Sequence, residues 1–135
     1  MKMNGNVVLA DTSAWIETFK IKGNRGIIDR MEILIKEGKL VTVGIVIFEI
    51  LKGVSSTKEY EMLEEKLRYF KCLEFKDEYW RKSSLLAYKL YRSGFKISSN
   101  DIFISIVAIE SQCDIIHFDK HFDIIARYSP LKIYS

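Results

Sequence analysis

VVLAD at residues 7–11 and IIHFD at residues 115–119 are short, β-branched-rich runs that each end in an aspartate. Such runs read as buried strands, Val7–Ala10 closed by Asp11 and Ile115–Phe118 closed by Asp119. A helical stretch follows each: Ala14–Phe19, with Trp15, Ile16 and Phe19 apolar, and a shorter one over Phe122–Ala126. In an open parallel sheet, ligands bind beyond the carboxyl ends of the strands, above all where the direction of connection reverses. Neighbouring strands lie about 4.8 Å apart. If these two pair, Asp11 and Asp119 face one crevice.

Between them the chain alternates. Ile27, Ile28, Met31, Leu34 and Ile35 recur at the spacing of an amphipathic helix over Ile27–Lys36, and Gly38 fits its stop. Leu40–Val43 reads as a second strand. GIVIFEIL at residues 44–51 suits a buried strand or a buried helix by pattern alone; the reading adopted is a turn at Gly44 and a helix over Ile45–Leu51. Lys58–Phe70 is a charged amphipathic helix and Cys72–Phe75 a short strand. Asp77–Ser93 is helical and stops at Gly94. Ser98–Glu110 is an apolar helix in which Ser98 and Asp101 have capping-box spacing. Leu131–Tyr134, after Pro130, is a last strand candidate. This alternation predicts one α/β domain over residues 1–135, with a mostly parallel central sheet flanked by helices on both faces.

A chain of 135 residues suits a single core, and 48% hydrophobic with 29% charged residues is the composition of a soluble globule. The net charge of +3 is compatible with a polyanionic partner but does not require one. Cys72 and Cys113 form no C-x-x-C pair, which argues against a disulfide framework or zinc knuckle. The apolar run Val7–Ala10 is too short for a signal peptide, and Gly44–Leu51 falls short of a membrane span. A soluble, cytoplasmic protein with no membrane partner is expected.

Two more acids sit in unusual surroundings. Glu49 lies inside an apolar run, where an unpaired carboxylate is costly to bury, and Asp101 begins an apolar helix, near its positive end. Taken singly, each candidate has an ordinary reading. Asp11 and Asp119 can be helix caps, Asp101 the acid of a capping box, Glu49 the partner of Lys52, and Ser13 a cap. Gathered in one pocket, the four carboxylates would repel by roughly 4 kcal/mol per close pair at an effective dielectric near 20. Such a cluster protonates or holds a cation, and oxygen ligands favour Mg²⁺ or Mn²⁺. Acidic metal sites of this kind usually serve phosphate-ester chemistry.

VVLADTSAWIE resembles the opening motif of the PIN domain family, in which a strand delivers an Asp and, two residues later, a Ser or Thr. GIVIFEILKG is similar to the second motif, a helix carrying Glu; ISSNDIFISIVAIE to the third, an Asp beginning an apolar helix; CDIIHFDKHFDII to the fourth. All four occur in order across nearly the whole chain. The resemblance implies that GIVIFEIL is helical and that Asp11, Glu49, Asp101 and Asp119 form an acidic Mg²⁺ or Mn²⁺ site, with Ser13 hydrogen-bonded to it. Where the family often has a further acid, this chain has His121, and Asp123 reads as a solvated helix residue.

The implied activity is that of a metal-dependent endoribonuclease of the VapC toxin type, acting on RNA, bound by a cognate antitoxin and homodimeric. The antitoxin would lie in a hydrophobic groove for which Trp15, Phe19 and Phe48 are candidates. Lys20, Lys22, Lys52, Lys96, Lys120 and Arg127 are candidates for guiding RNA. The alternative is a PIN-like module that binds RNA or protein without cutting. A haloacid-dehalogenase-like phosphatase would need an Asp where Ser13 stands.

Overall fold

Val8, Leu9 and Ala10 form β1, and all three are buried. Successive strand side chains point to opposite faces, so burial of every residue means that both faces of the sheet are covered. The computed structural model describes residues 6–135, and residues 1–5 of the expected domain lie outside the described part. β1 is flanked by two parallel neighbours: β2 (Leu40–Val43), in register Val8 to Leu40, and β4 (Asp114–Ile116), in register Ala10 to Ile116. β3 (Lys71–Leu73) pairs parallel with β2, giving the order β3-β2-β1-β4.

Helices join the strands: α1 (Thr12–Phe19) and α2 (Arg25–Lys36) before β2, α3 (Gly44–Lys52) and α4 (Thr57–Leu67) before β3, then α5 (Tyr79–Arg92) and α6 (Ser99–Ser111) before β4. α7 (Lys120–Arg127) closes the series. From β1 the chain steps to β2 and β3, then returns past both to β4 on the other side of β1. With right-handed crossovers, this reversal sends the first two helix pairs to one face and the third to the other. It also makes the carboxyl ends of β1 and β4 the point where the connection direction switches, the place such sheets use for ligands.

The strand–helix alternation matches the sequence reading, with local corrections. α3 starts at Gly44 itself, directly after Val43, so the apolar run is helix without a separate turn. β4 stops at Ile116 rather than Phe118, because the backbone curls over His117, whose Nδ1 takes the Asp119 N–H at 3.0 Å. α4 ends at Leu67 rather than Phe70. There the Tyr69 and Phe70 N–H groups bond three residues back, tightening the turn so that Phe70 packs edge-on against Trp15. The strand expected at Cys72–Phe75 forms at Lys71–Leu73. Leu131–Tyr134 is reduced to a single bridge, Ile115 to Ile133, since three-residue β4 offers little edge to pair with.

Leu9, Met31, Leu34, Ile102, Ile104, Ile115 and Phe122 are among the largest fully buried side chains. Truncating a buried aromatic such as Phe122 to Ala costs about 3–5 kcal/mol. α1 packs on α3, α3 on α6 and α6 on α7, so four helices crowd around the switch point.

Candidate active site

Asp11 follows β1 and caps α1, its Oδ1 accepting the Ala14 N–H at 3.2 Å and the Ser13 hydroxyl at 2.8 Å. The residue is 2% exposed. Burial pushes its carboxyl up to about 7, helped by the charge of Asp101 and opposed by the bonds from Ser13 and the Ala14 and Ser13 backbone. Ser13 is therefore not the cap; Asp11 is. The Ser13 hydroxyl also accepts the Phe118 N–H at 2.8 Å, fastening the segment after β4 to the start of α1.

Asp101 lies in the first turn of α6, its N–H donated to the Ser98 hydroxyl at 3.3 Å. Its carboxyl is raised by burial first and by the charge of Asp119 second. Asp119 caps α7 by accepting the His121 N–H at 3.0 Å. It stands in the loop beyond β4 rather than at the strand's last position. His121 Nδ1 lies 3.4 Å from both Asp101 Oδ2 and Asp119 Oδ1. Ligand atoms of Asp101, Asp119 and His121 all fall within 4.8 Å of one another.

Glu49 joins this end of the molecule by a different route. Its Oε1 accepts the Thr12 hydroxyl at 2.5 Å and its Oε2 the Asn100 amide at 2.8 Å. These partners are the chain neighbours of Asp11 and Asp101, so Glu49 ties α1, α3 and α6 together. It does not pair with Lys52, whose Nζ sits 5.4 Å above the Phe48 ring. The five expected site residues thus share one end of the sheet, but not as a four-carboxylate cup. Asp101, Asp119 and His121 form the close group, Asp11 is electrostatically linked to it through Asp101, and Glu49 is linked through Thr12 and Asn100.

Thr12, Asn100 and His117 were not singled out by sequence. A threonine or asparagine in a helix's first turn looks like ordinary capping, and only adjacency to Asp11 and Asp101 hinted otherwise. His117 accepts from Asp119 N–H through Nδ1, while Nε2 lies 3.3 Å from the exposed Asp123 carboxylate. Asp123 is solvated, as expected, and it orients His117.

Two adjoining carboxylates with an imidazole, beside a buried acid that resists ionising without a counter-charge, fit a divalent cation. The cluster can therefore hold a metal ion.

The PIN domain family model matches residues 8–128. The chain belongs to the PIN domain family. A curated relative of this PIN domain is ribonuclease VapC11 of Mycobacterium tuberculosis, 29% identical over 132 residues and covering 96% of this chain and 98% of the relative. Among solved structures, VapBC2 of Rickettsia felis bound to a promoter DNA fragment has a TM-score of 0.75 at 21% identity, covering 95% of this chain and 97% of that one. VapBC-5 of Mycobacterium tuberculosis, from the VapBC family of toxin–antitoxin systems, has a TM-score of 0.67 at 20% identity, covering 95% and 97%. At these identities the structures establish the fold that this PIN domain shares.

Proposed function

We propose that this chain is an endoribonuclease that hydrolyses RNA phosphodiester bonds with a divalent metal ion, Mg²⁺ or Mn²⁺, and is the toxin of a toxin–antitoxin pair. Residues 1–135 are taken as one PIN domain. The observation that carries the reading is the close group of Asp101, Asp119 and His121 beside buried Asp11, with Glu49 bonded between Thr12 and Asn100. The names of the curated relatives support the same activity.

Asp11, Asp101 and Asp119 would hold the ion, with His121 as a nitrogen ligand and Glu49 beside them. Imidazole binds transition-metal ions better than Mg²⁺, which favours Mn²⁺ here. A bound divalent ion supplies Lewis acidity, offsetting phosphate charge and making a water more acidic. The protein supplies position. Ser13 and the Ala14 N–H fix the Asp11 carboxylate, Ser98 fixes the turn that presents Asp101, and Glu49 sets α1 against α6. Of the basic candidates for RNA contact, Lys20 is committed to Glu17 at 2.8 Å, which leaves Lys22, Lys52, Lys96, Lys120 and Arg127.

Asp11→Asn should abolish RNA cleavage in Mn²⁺ while leaving the circular-dichroism spectrum intact. Full activity in that variant would remove the proposal. Wild-type protein that binds RNA yet never cuts it would favour the binding-module alternative.

The antitoxin is assigned to a groove of about 600 Å³ between α1, α2 and α4, lined by Trp15, Phe19, Ile35, Met62, Tyr69 and Phe70. Trp15 and Phe19 stack there at 5.7 Å, whereas Phe48 stands apart on α3. Phe19→Asp should weaken co-purification of the antitoxin at least tenfold without loss of ribonuclease activity. Undiminished capture would move the partner elsewhere. No helix among the described residues is long and apolar enough to cross a membrane. Cytoplasmic location and a homodimeric state belong to the same reading, and the unpaired Cys72 and Cys113 suit a reducing compartment.

A further inference from the structure

α5 buries one narrow face, Tyr79, Ser83, Leu86 and Leu90, and leaves large aromatic side chains on the opposite side. Trp80 is 55%, Tyr88 59% and Tyr91 70% exposed. At 3.6 residues per turn these three rings share an arc of about 120° with Arg81 and Arg92, along roughly 16 Å of helix. Lys89 borders the arc. Exposed apolar surface concentrated in this way marks an interaction site rather than chance solvent contact.

The charge on this helix is one-sided. YWRKSSLLAYKLYR contains four cations and no carboxylate. Lys82 is neutralised by Glu110 at 2.6 Å, but among the described residues Arg81, Lys89 and Arg92 have no acidic partner. A second copy of the chain fits this face poorly. A two-fold interface pairs a surface with itself, and the acids nearest this face, Asp77 and Glu78, stand only at its first end while the cations run along its length. A polyanion with flat, stackable groups fits on both counts. Aromatic rings flanked by cations are how proteins hold single-stranded nucleic acid without reading its sequence.

The stripe also connects to the acidic site, by one of its ends. Trp80 packs edge-on against Phe103 at 5.2 Å, which fixes that end of the stripe to α6 on the side turned away from Asp101. At the other end, Arg92 leads through exposed Lys96 to Ser98, the cap that presents Asp101. We infer that the exposed face of α5 is a track for single-stranded RNA, with Tyr88 and Tyr91 stacking on bases and Arg81, Lys89 and Arg92 contacting phosphates. The track rests on the ribonuclease reading and gives it a substrate form, an unpaired strand.

The test is binding of a short fluorescein-labelled oligouridylate to the full-length protein, followed by anisotropy in EDTA, alongside cleavage of the same strand in Mn²⁺. Tyr88→Ala and Tyr91→Ala, both at exposed positions, should each weaken binding by about tenfold. Arg81→Gln with Arg92→Gln should lower the slope of log affinity against log salt by about 1.4, the release expected for two phosphate contacts on a single strand. Variants that bind and cut like wild type would overturn the track while leaving the nuclease intact. Wild type that neither binds nor cuts would remove both. Sedimentation showing a dimer that Tyr88→Ala dissociates would make the face a self-interface and overturn the track.

Discussion

Asp11 is asked to do two conflicting things. It caps α1 and it is buried, and burial holds its carboxyl at about 7 against an ordinary value of 3.8. Without metal, the unfolded chain gives up this proton near pH 3.8, and the folded protein keeps it until about pH 7. Between those values the folded state binds more protons, so this residue's contribution to stability is complete below the lower value and is lost as pH rises through the upper one. Asp11→Asn carries no such penalty. In EDTA it should be more stable than wild type at pH 8, by at most about 4 kcal/mol, and the difference should vanish below pH 4. Urea unfolding at the two pH values measures it; a difference that does not change with pH would contradict the assignment. The bond from Ser13 to Asp11 was implied by the resemblance to the family's opening motif, while on the residues alone Ser13 read as a cap. That Ser13 would also hold the Phe118 N–H was not legible, since the two residues are far apart in the chain.

Elements show where local pattern stops being informative. β1, β2 and β4 were readable because their β-branched runs end at polar or turn residues, whereas β3 has no β-branched residue, and the ends of the strands were not readable. β4 is cut short by a histidine side chain bonding the backbone ahead of it, and α4 by a tightened turn that delivers Phe70 to Trp15. The run at 44–51 was ambiguous because a fully apolar segment carries no period; packing against α1, α4 and α6 is what makes it a helix. Glu49 is the one charged residue in that run before Lys52, and its purpose depends on partners from two other helices. If Glu49 acts by joining α1 to α6, Glu49→Gln and Asn100→Ala should each lower cleavage by about tenfold, and the double variant should be little worse than either, since residues acting as a unit are non-additive. Losses that multiply would mean that Asn100 acts independently of Glu49.

At the scale of the molecule, the site is assembled from the starts of α1, α6 and α7 and the middle of α3, and nothing but the fold brings them together. Asp101 precedes β4 and Asp119 follows it in the sequence, and the His121 imidazole lies 3.4 Å from each. A ligand that binds the folded arrangement and not the unfolded chain stabilises the fold by mass action, by about 2.7 kcal/mol at a hundred times its dissociation constant. For a domain of this size that is a rise of roughly 10 °C in Tm. Mn²⁺ should therefore raise Tm at pH 8, where competing protons have left Asp11, and raise it much less at pH 5, where Asp11 still holds its proton. His121→Ala should reduce the rise more for Mn²⁺ than for Mg²⁺, because imidazole contributes little to binding the harder ion. Equal shifts in wild type and in Asp101→Asn would show that the ion binds elsewhere. The gathering of the acids would then be a feature of capping and packing, with no cation to hold.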